Sequence, residues 1–205
     1  MESPSHCTTR PTPIIALRPP RLLTAALSAA VALCVCHSTS RPLAAYEADE
    51  QVIQLGSLRL RAADDWERRE PRSRIIAEEF STPAAEGDDD GGRLTVMAAG
   101  GSIEANIDRW VGQFTQPDGG DTRKRMKVEE RKIAGHDVYL VDLAGTYKDS
   151  PGPFAPGVDR KGYRMLAAIV VTREANFYLK LYGPQQTMAE QEAAFVQMIE
   201  GLSRR

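Results

Sequence analysis

The chain has 205 residues, 26 of them basic and 28 acidic, and its three cysteines (Cys7, Cys34, Cys36) all lie near the N-terminus. Four of the basic residues but only one acid precede residue 46, so the remainder is acidic by five charges. That balance speaks against a nucleic-acid partner, which selects a basic face. A cysteine-free remainder excludes disulfides, a thiol nucleophile and thiolate metal sites.

Arg10, Arg18 and Arg21 precede Leu22 to Cys36, LLTAALSAAVALCVC, a run without charge or proline. A positive flank, an apolar run of this length and a small-residue exit describe a secretory signal peptide. The run is too short to span a bilayer, which takes about 20 residues. Residues 1–45 are therefore expected to be a signal peptide and lead-in, cleaved after Ser40 or after Ala45, and residues 46–205 a single α+β domain. The expected location is exported, periplasmic or extracellular, with no transmembrane span in the mature form. A lipoprotein anchor on Cys34 or Cys36 and an organelle lumen are the alternatives.

Within the domain, VIQLGSLRLRA (52–62) alternates around Gly56 as a half-buried hairpin, with Leu58 and Leu60 on one side and Arg59 and Arg61 on the other. Trp66 is expected to close this unit onto the core. Arg74 to Phe80 reads as a strand, PAAEGDDDGG (83–92) as an acidic turn-rich loop, and Arg93 to Ala98 as the next strand. Ser102 to Phe114 predicts an amphipathic helix whose stripe is Ile103, Ile107, Trp110, Val111 and Phe114, with Ser102 as N-cap. The cluster Arg123-Lys124-Arg125-Met126-Lys127 reads as a solvated strand edge. Lys127 to Ile133 and Asp137 to Tyr147 predict strands joined by a turn at Ala134-Gly135-His136, the second strand interior. Lys148 to Gly162 reads as the longest loop. Tyr163 to Thr172 and Asn176 to Tyr182 predict a hairpin. A final helix to about Leu202, opened by a capping box at Thr187, buries Met188, Phe195, Met198, Ile199 and Leu202. Strands, helix, strands, helix imply an antiparallel β-sheet flanked by helices.

The chemistry-bearing residues are sparse. The domain has one histidine, His136, and its neighbour Asp137 points to the opposite face of a strand, so no oriented base is formed. Zinc sites draw on several His or Cys ligands. Asp88-Asp89-Asp90-Gly91 lacks the alternating spacing of a calcium loop. Gly100-Gly101-Ser102 precedes a helix but lacks the phosphate-loop lysine and spacing. No catalytic residue, cofactor or metal is expected. A mixed polar and aromatic face remains: Tyr178, Lys180 and Tyr182 share one side of a strand, with Tyr147 or Tyr163 beside them and Arg109 on the helix above. These four, Tyr178, Lys180, Tyr182 and Arg109, are the candidate ligand or partner contacts, through a cation over a ring. The structural alternative is that Lys180 only snorkels past a covering helix to water.

The opening hairpin leading to Trp66, the helix SIEANIDRW, the strand ending NFYLKLYGP and the last helix with AFVQMIEGL together resemble the PsbP-like superfamily, the fold of the extrinsic photosystem subunit and of Ran-binding nuclear-transport factors. The resemblance covers about residues 50–203. It implies an α/β/α sandwich and a non-catalytic assembly or binding role, and transfers no functional residue. Three functions are weighed: an exported non-enzymatic binding or assembly-accessory domain with a protein partner in the cell envelope, engaged by the 148–162 or the acidic 86–90 loop; a small-molecule or lipid carrier with a pocket between sheet and helix; and a hydrolase, for which His136 is the one histidine on offer.

Overall fold

Side-chain alternation along one long sheet divides the core in two. The computed structural model describes residues 50–150 and 156–204. The run Leu22–Cys36, the three cysteines and both expected cleavage sites lie outside them, as do residues 151–155 of the expected long loop. The described residues all belong to the compact unit Ala44–Arg205. Among them, no helix is long and apolar enough to cross a membrane.

Strands β1 (Val52–Leu55), β2 (Leu58–Arg61), β3 (Glu67–Arg69), β4 (Glu78–Ser81) and β5 (Arg93–Ala99) lead to helix α1 (Ile103–Val111). After β6 (Phe114–Thr115) and the short helix α2 (Thr122–Arg125) come β7 (Lys127–Ile133), β8 (His136–Asp149), β9 (Val158–Val171) and β10 (Asn176–Pro184), then α3 (Gln185–Glu200) and β11 (Ser203–Arg204). The main sheet has the order β3-β4-β5-β10-β9-β8-β6, and β7 pairs with the other half of β8. Every pairing is antiparallel. The β1–β2 hairpin is joined by β11 in a separate three-stranded sheet.

Successive residues of a strand face opposite sides, and β10 shows the division. Leu179 and Leu181 join Leu166, Ala168 and Val170 of β9, Leu94 and Val96 of β5, the β1–β2 leucines, Trp66 and the α3 stripe. Tyr178 and Tyr182 join Met165, Ala167 and Ile169 of β9, Val141 and Leu143 of β8, and Ile107, Trp110 and Phe114. Helix α3 therefore covers one face and α1 the other, which is the expected α/β/α sandwich. The α3 side is fastened by Trp66 Nε1, which donates to Gln191 Oε1 at 2.7 Å. It is also fastened by Arg164, paired with Asp142 at 2.9 Å and with Glu192 at 2.8 Å.

Several local expectations are corrected. The strand expected at 74–80 starts at Glu78, because Ile76 N–H closes a turn onto Ser73 and leaves Ile75 72% exposed. The unexpected β3 pairs with β4 instead. Phe114 leaves the helix for β6, though it is buried as expected. Arg123 to Arg125 form α2, where Arg123 pairs with Asp108 and Arg125 with Asp118. The β7–β8 turn is only Ala134-Gly135, both at positive φ as a two-residue hairpin turn of the mirror-image kind requires. His136 is consequently the first residue of β8. The expected 148–162 loop shrinks, since β8 runs to Asp149 and β9 starts at Val158, with those two residues in register. The expected Thr187 cap also fails. Helix α3 starts at Gln185, behind Pro184. Thr187 lies in its first turn, and its N–H and hydroxyl both donate to Asp88 Oδ2, at 2.9 and 2.7 Å.

Candidate functional site

Helix α1 has only nine residues and covers only part of its face of the sheet. Under it, Trp110 meets Tyr178 edge to face at 6.1 Å, and Asn106 Nδ2 donates to the Tyr178 hydroxyl at 2.9 Å. Towards the β3–β4 side the same face turns polar. The register places Glu79 opposite Thr95, and Thr95 opposite Lys180. Likewise Ser81 lies opposite Arg93, and Arg93 opposite Tyr182. Beyond the helix, Glu79, Arg93, Lys180 and Tyr182 therefore share one surface.

Lys180 sits at the border. Its ammonium donates to Gln113 Oε1 at 3.1 Å and to the Tyr147 hydroxyl at 3.3 Å. It lies 4.5 Å from the centroid of the Tyr182 ring and 5.2 Å from that of Tyr147. Burial, then the positive charge of Arg93, push it down to about 8, against the pull of Asp149. Tyr147 is packed against Tyr182 at 5.0 Å and stacked on Tyr163 at 6.2 Å. Burial first, then the Tyr182 hydroxyl and Asp149, raise its phenol above the ordinary range.

Next to Lys180 is a locked ion pair. Glu79, with a side chain only 3% exposed, accepts from Arg93 Nε at 2.7 Å and Nη2 at 2.8 Å. The Arg72 backbone N–H adds a bond at 3.1 Å. The Arg93 bond, opposed by burial, holds the Glu79 carboxyl below the usual range. Arg93 also donates to the Tyr182 hydroxyl. Burial opposes its charge, yet Glu79 and Tyr182 keep it above the ordinary arginine value.

Glu79, Arg93 and Tyr182 of this surface form the floor of an open cleft of about 860 Å³. One wall comes from β3 and the following turn, with Glu67, Arg69, Glu70 and Arg72. The other comes from the 83–92 loop and the β8–β9 ends, with Asp90, Asp149, Arg160 and Tyr163. Gly91 lets the loop pass close, since a Cβ there would stand 2.1 Å from the Thr82 carbonyl oxygen. Arg160 bridges the second wall loosely, 3.5 Å from both Asp90 and Asp149. The lining offers carboxylates, guanidinium groups and phenols, suited to ion pairing and stacking.

Of the four residues singled out from sequence, Tyr182 lines the cleft and Lys180 stands behind it. The ammonium of Lys180 is held by Gln113 and Tyr147, where snorkelling would have carried it past the helix. Tyr178 and Arg109 meet at Asn106 under and on α1, away from the lining. The expected tyrosine neighbours, Tyr147 and Tyr163, do join the cluster. Glu79, Arg93, Asp90, Asp149 and Arg160 were not anticipated. Their one sequence signal is the turn-rich 83–92 segment, which makes β4 and β5 neighbours and so brings Glu79 to Arg93. His136 Nδ1 lies 3.1 Å from the Val171 carbonyl, and Asp137 pairs with Lys132. The aspartates of 88–90 diverge, Asp88 to α3 and Asp90 to the cleft. Between α1 and the sheet, the pocket expected for a carrier is filled by Ile107, Trp110, Phe114, Tyr147 and Tyr178.

No family model and no curated protein matches the chain. Solved structures do. A protein of unknown function from Pseudomonas aeruginosa, PA94, described as a putative regulator, is 16% identical with a TM-score of 0.43, over 75% of this chain and 96% of its own. Cyanobacterial PsbP (CyanoP) from Synechocystis sp. PCC 6803 is 10% identical with a TM-score of 0.46, over 76% and 94%. LpqN of Mycobacterium tuberculosis, described as involved in cell envelope biogenesis, is 13% identical with a TM-score of 0.41, over 71% and 82%. A PsbP structure thus stands among the matches to the layout read from sequence. At these scores the likeness carries nothing about function, and the sandwich rests on the sheet order and two core faces described above.

Proposed function

We propose that the chain is an exported binding or assembly-accessory domain, freed by cleavage after Ser40 or Ala45, that holds a protein partner of the cell envelope in the charged, tyrosine-floored cleft and performs no chemistry of its own. The observation that supports this reading is the cleft itself: about 860 Å³ of open space on the sheet, lined by ion pairs and phenols suited to recognition. Tyr182 is the contact in this reading, with Lys180 backing its ring. Sites of this kind, concave and with a few fixed polar groups, are where ligands and partners are held.

A photo-crosslinking residue placed at Ser81, on the floor, is expected to trap a discrete adduct in the native envelope, and one at Gln197, exposed on α3, is not. N-terminal sequencing of the same material should start at Arg41 or Tyr46. Equal adducts from both positions would remove the cleft from the reading, and a retained Met1 would remove export.

A further inference from the structure

We infer that the cleft takes a cationic side chain, the guanidinium or ammonium group of a basic segment of the partner protein. This rests on the cleft being the binding site, as proposed above, and adds the chemistry of its occupant.

The lining carries six carboxylates and four guanidinium groups. The pairs already made engage part of the positive charge. Arg93 is spent on Glu79 in a two-pronged contact, Arg72 leans on the same carboxylate at 3.4 Å, and Arg69 is taken by Glu67. What remains is Asp65 and Glu70 on one rim and Asp90 and Asp149 on the other, against Arg160 and the largely exposed Arg72, whose charge the doubly bonded Glu79 does not offset, so the lining as a whole carries two excess negative charges. Among the described residues, Asp65 and Glu70 have no ion pair. The cleft is therefore net negative, and it is framed by low-dielectric tyrosine rings that weaken screening.

Arg160 shows what the site accepts. Its guanidinium sits between two carboxylates that come from different segments, Asp90 on the 83–92 loop and Asp149 on β8. It reaches each only at 3.5 Å, well outside the 2.7–2.9 Å of a good charge-assisted bond. Its Nε, shut off from solvent, has no hydrogen-bond partner. Two carboxylates are thus held around one loosely bonded cation. Each keeps lone pairs for a second donor entering from the open side, and the Tyr163 hydroxyl, 3.4 Å from Asp90, marks the same spot. An anionic ligand on this rim would meet Asp90 and Asp149 with only Arg160, already shared between them, to offset them. Arg160 also competes with the incoming cation, so removing it should tighten binding.

The test titrates the full chain with a Gly-spaced arginine peptide, the matching glutamate peptide and free spermidine. The arginine peptide is expected to bind, more weakly as salt rises. Asp90→Asn with Asp149→Asn should weaken it at least tenfold, Glu104→Gln on α1 should leave it unchanged, and Arg160→Ala should tighten it severalfold. Loss of binding in the double variant counts only where its urea midpoint matches the parent chain. Preference for the glutamate peptide, with loss in cleft variants, would overturn the cationic occupant but leave the cleft as the site. Spermidine binding as tightly as the peptide would overturn the protein source. Silence from all three probes, together with equal cross-linking from Ser81 and Gln197, would overturn the underlying reading as well.

Discussion

Replacing Lys180 by Met tests the border between core and cleft. The free ammonium titrates at 10.5 and the buried one at about 8. Each pH unit of difference is about 1.4 kcal/mol, so keeping this charge in the fold near pH 7 costs up to about 3 kcal/mol. Partial exposure of the side chain trims this to about 2 kcal/mol. The sign follows from proton counting. Below pH 8 both folded and unfolded chains are protonated and the cost is constant. Between about 8 and 10.5 the folded chain has released its proton and the unfolded one has not, so stability rises with pH. Above that the cost is gone. Methionine keeps the volume without the charge, and the Tyr147 hydroxyl keeps its bond to Tyr182. Lys180→Met should therefore be stabler than the parent by about 1–2 kcal/mol near pH 7, the lost contacts over the Tyr147 and Tyr182 rings accounting for the rest. Its advantage should shrink towards zero near pH 10. Urea unfolding of both chains at the two pH values reads the difference, with tyrosine ionisation common to both. An advantage of the same size at both pH values would refute the buried-charge account, and a less stable variant near pH 7 would show that the ring and hydrogen-bond contacts dominate.

Three further outcomes are expected. Gly91→Ala puts a methyl group against the Thr82 carbonyl oxygen and should cost about 2–3 kcal/mol, seen as a lowered thermal midpoint. Asp88→Ala removes the acceptor at the first turn of α3 and should cost about 1 kcal/mol, with amide exchange accelerating at Thr187 before the rest of the helix. Glu79 has a depressed pKa in the folded chain, so its contribution is fully present above the unfolded value near 4.3 and is lost as pH falls through the folded one. Glu79→Gln should flatten the acid limb of the stability curve, and an unchanged limb would show that other carboxylates set it.

The two core stripes were legible because burial imposes period: Ile107 and Trp110 on α1, and Phe195 and Ile199 on α3, recur at helical spacing, and β10 alternates cleanly. The tyrosine cluster was partly legible for the same reason, since Tyr178, Lys180 and Tyr182 could be assigned one face without knowing the sheet order. The charged cleft was not. Glu79 and Arg93 meet only through the register of β4 on β5, and reading 74–80 as one strand hid where β4 begins. Asp149 and Arg160 looked like loop residues, because Gly157 and Gly162, with Pro151, Pro153 and Pro156, mask a hairpin that pairs up to Asp149 and Val158. Asp88 likewise lay in a loop with no local sign that it would cap a helix 99 positions later.

The position of the cleft follows from a mismatch of lengths. Strands β8 and β9 have 14 residues each, about 45 Å of extended chain. Helix α3 with 16 residues, about 24 Å, shares its face with the separate β1–β2–β11 sheet, so that side is closed and apolar. Helix α1 has nine residues, about 13 Å, and nothing comparable helps it. Whatever its tilt, it leaves much of its face without a helix, and polar groups there must be satisfied by one another or by water. The change from Trp110 and Tyr178 to Lys180, and then to Tyr182, Arg93 and Glu79, is that transition written along three adjacent strands. Lys180 stands where the cover ends, which is why burial works against its charge.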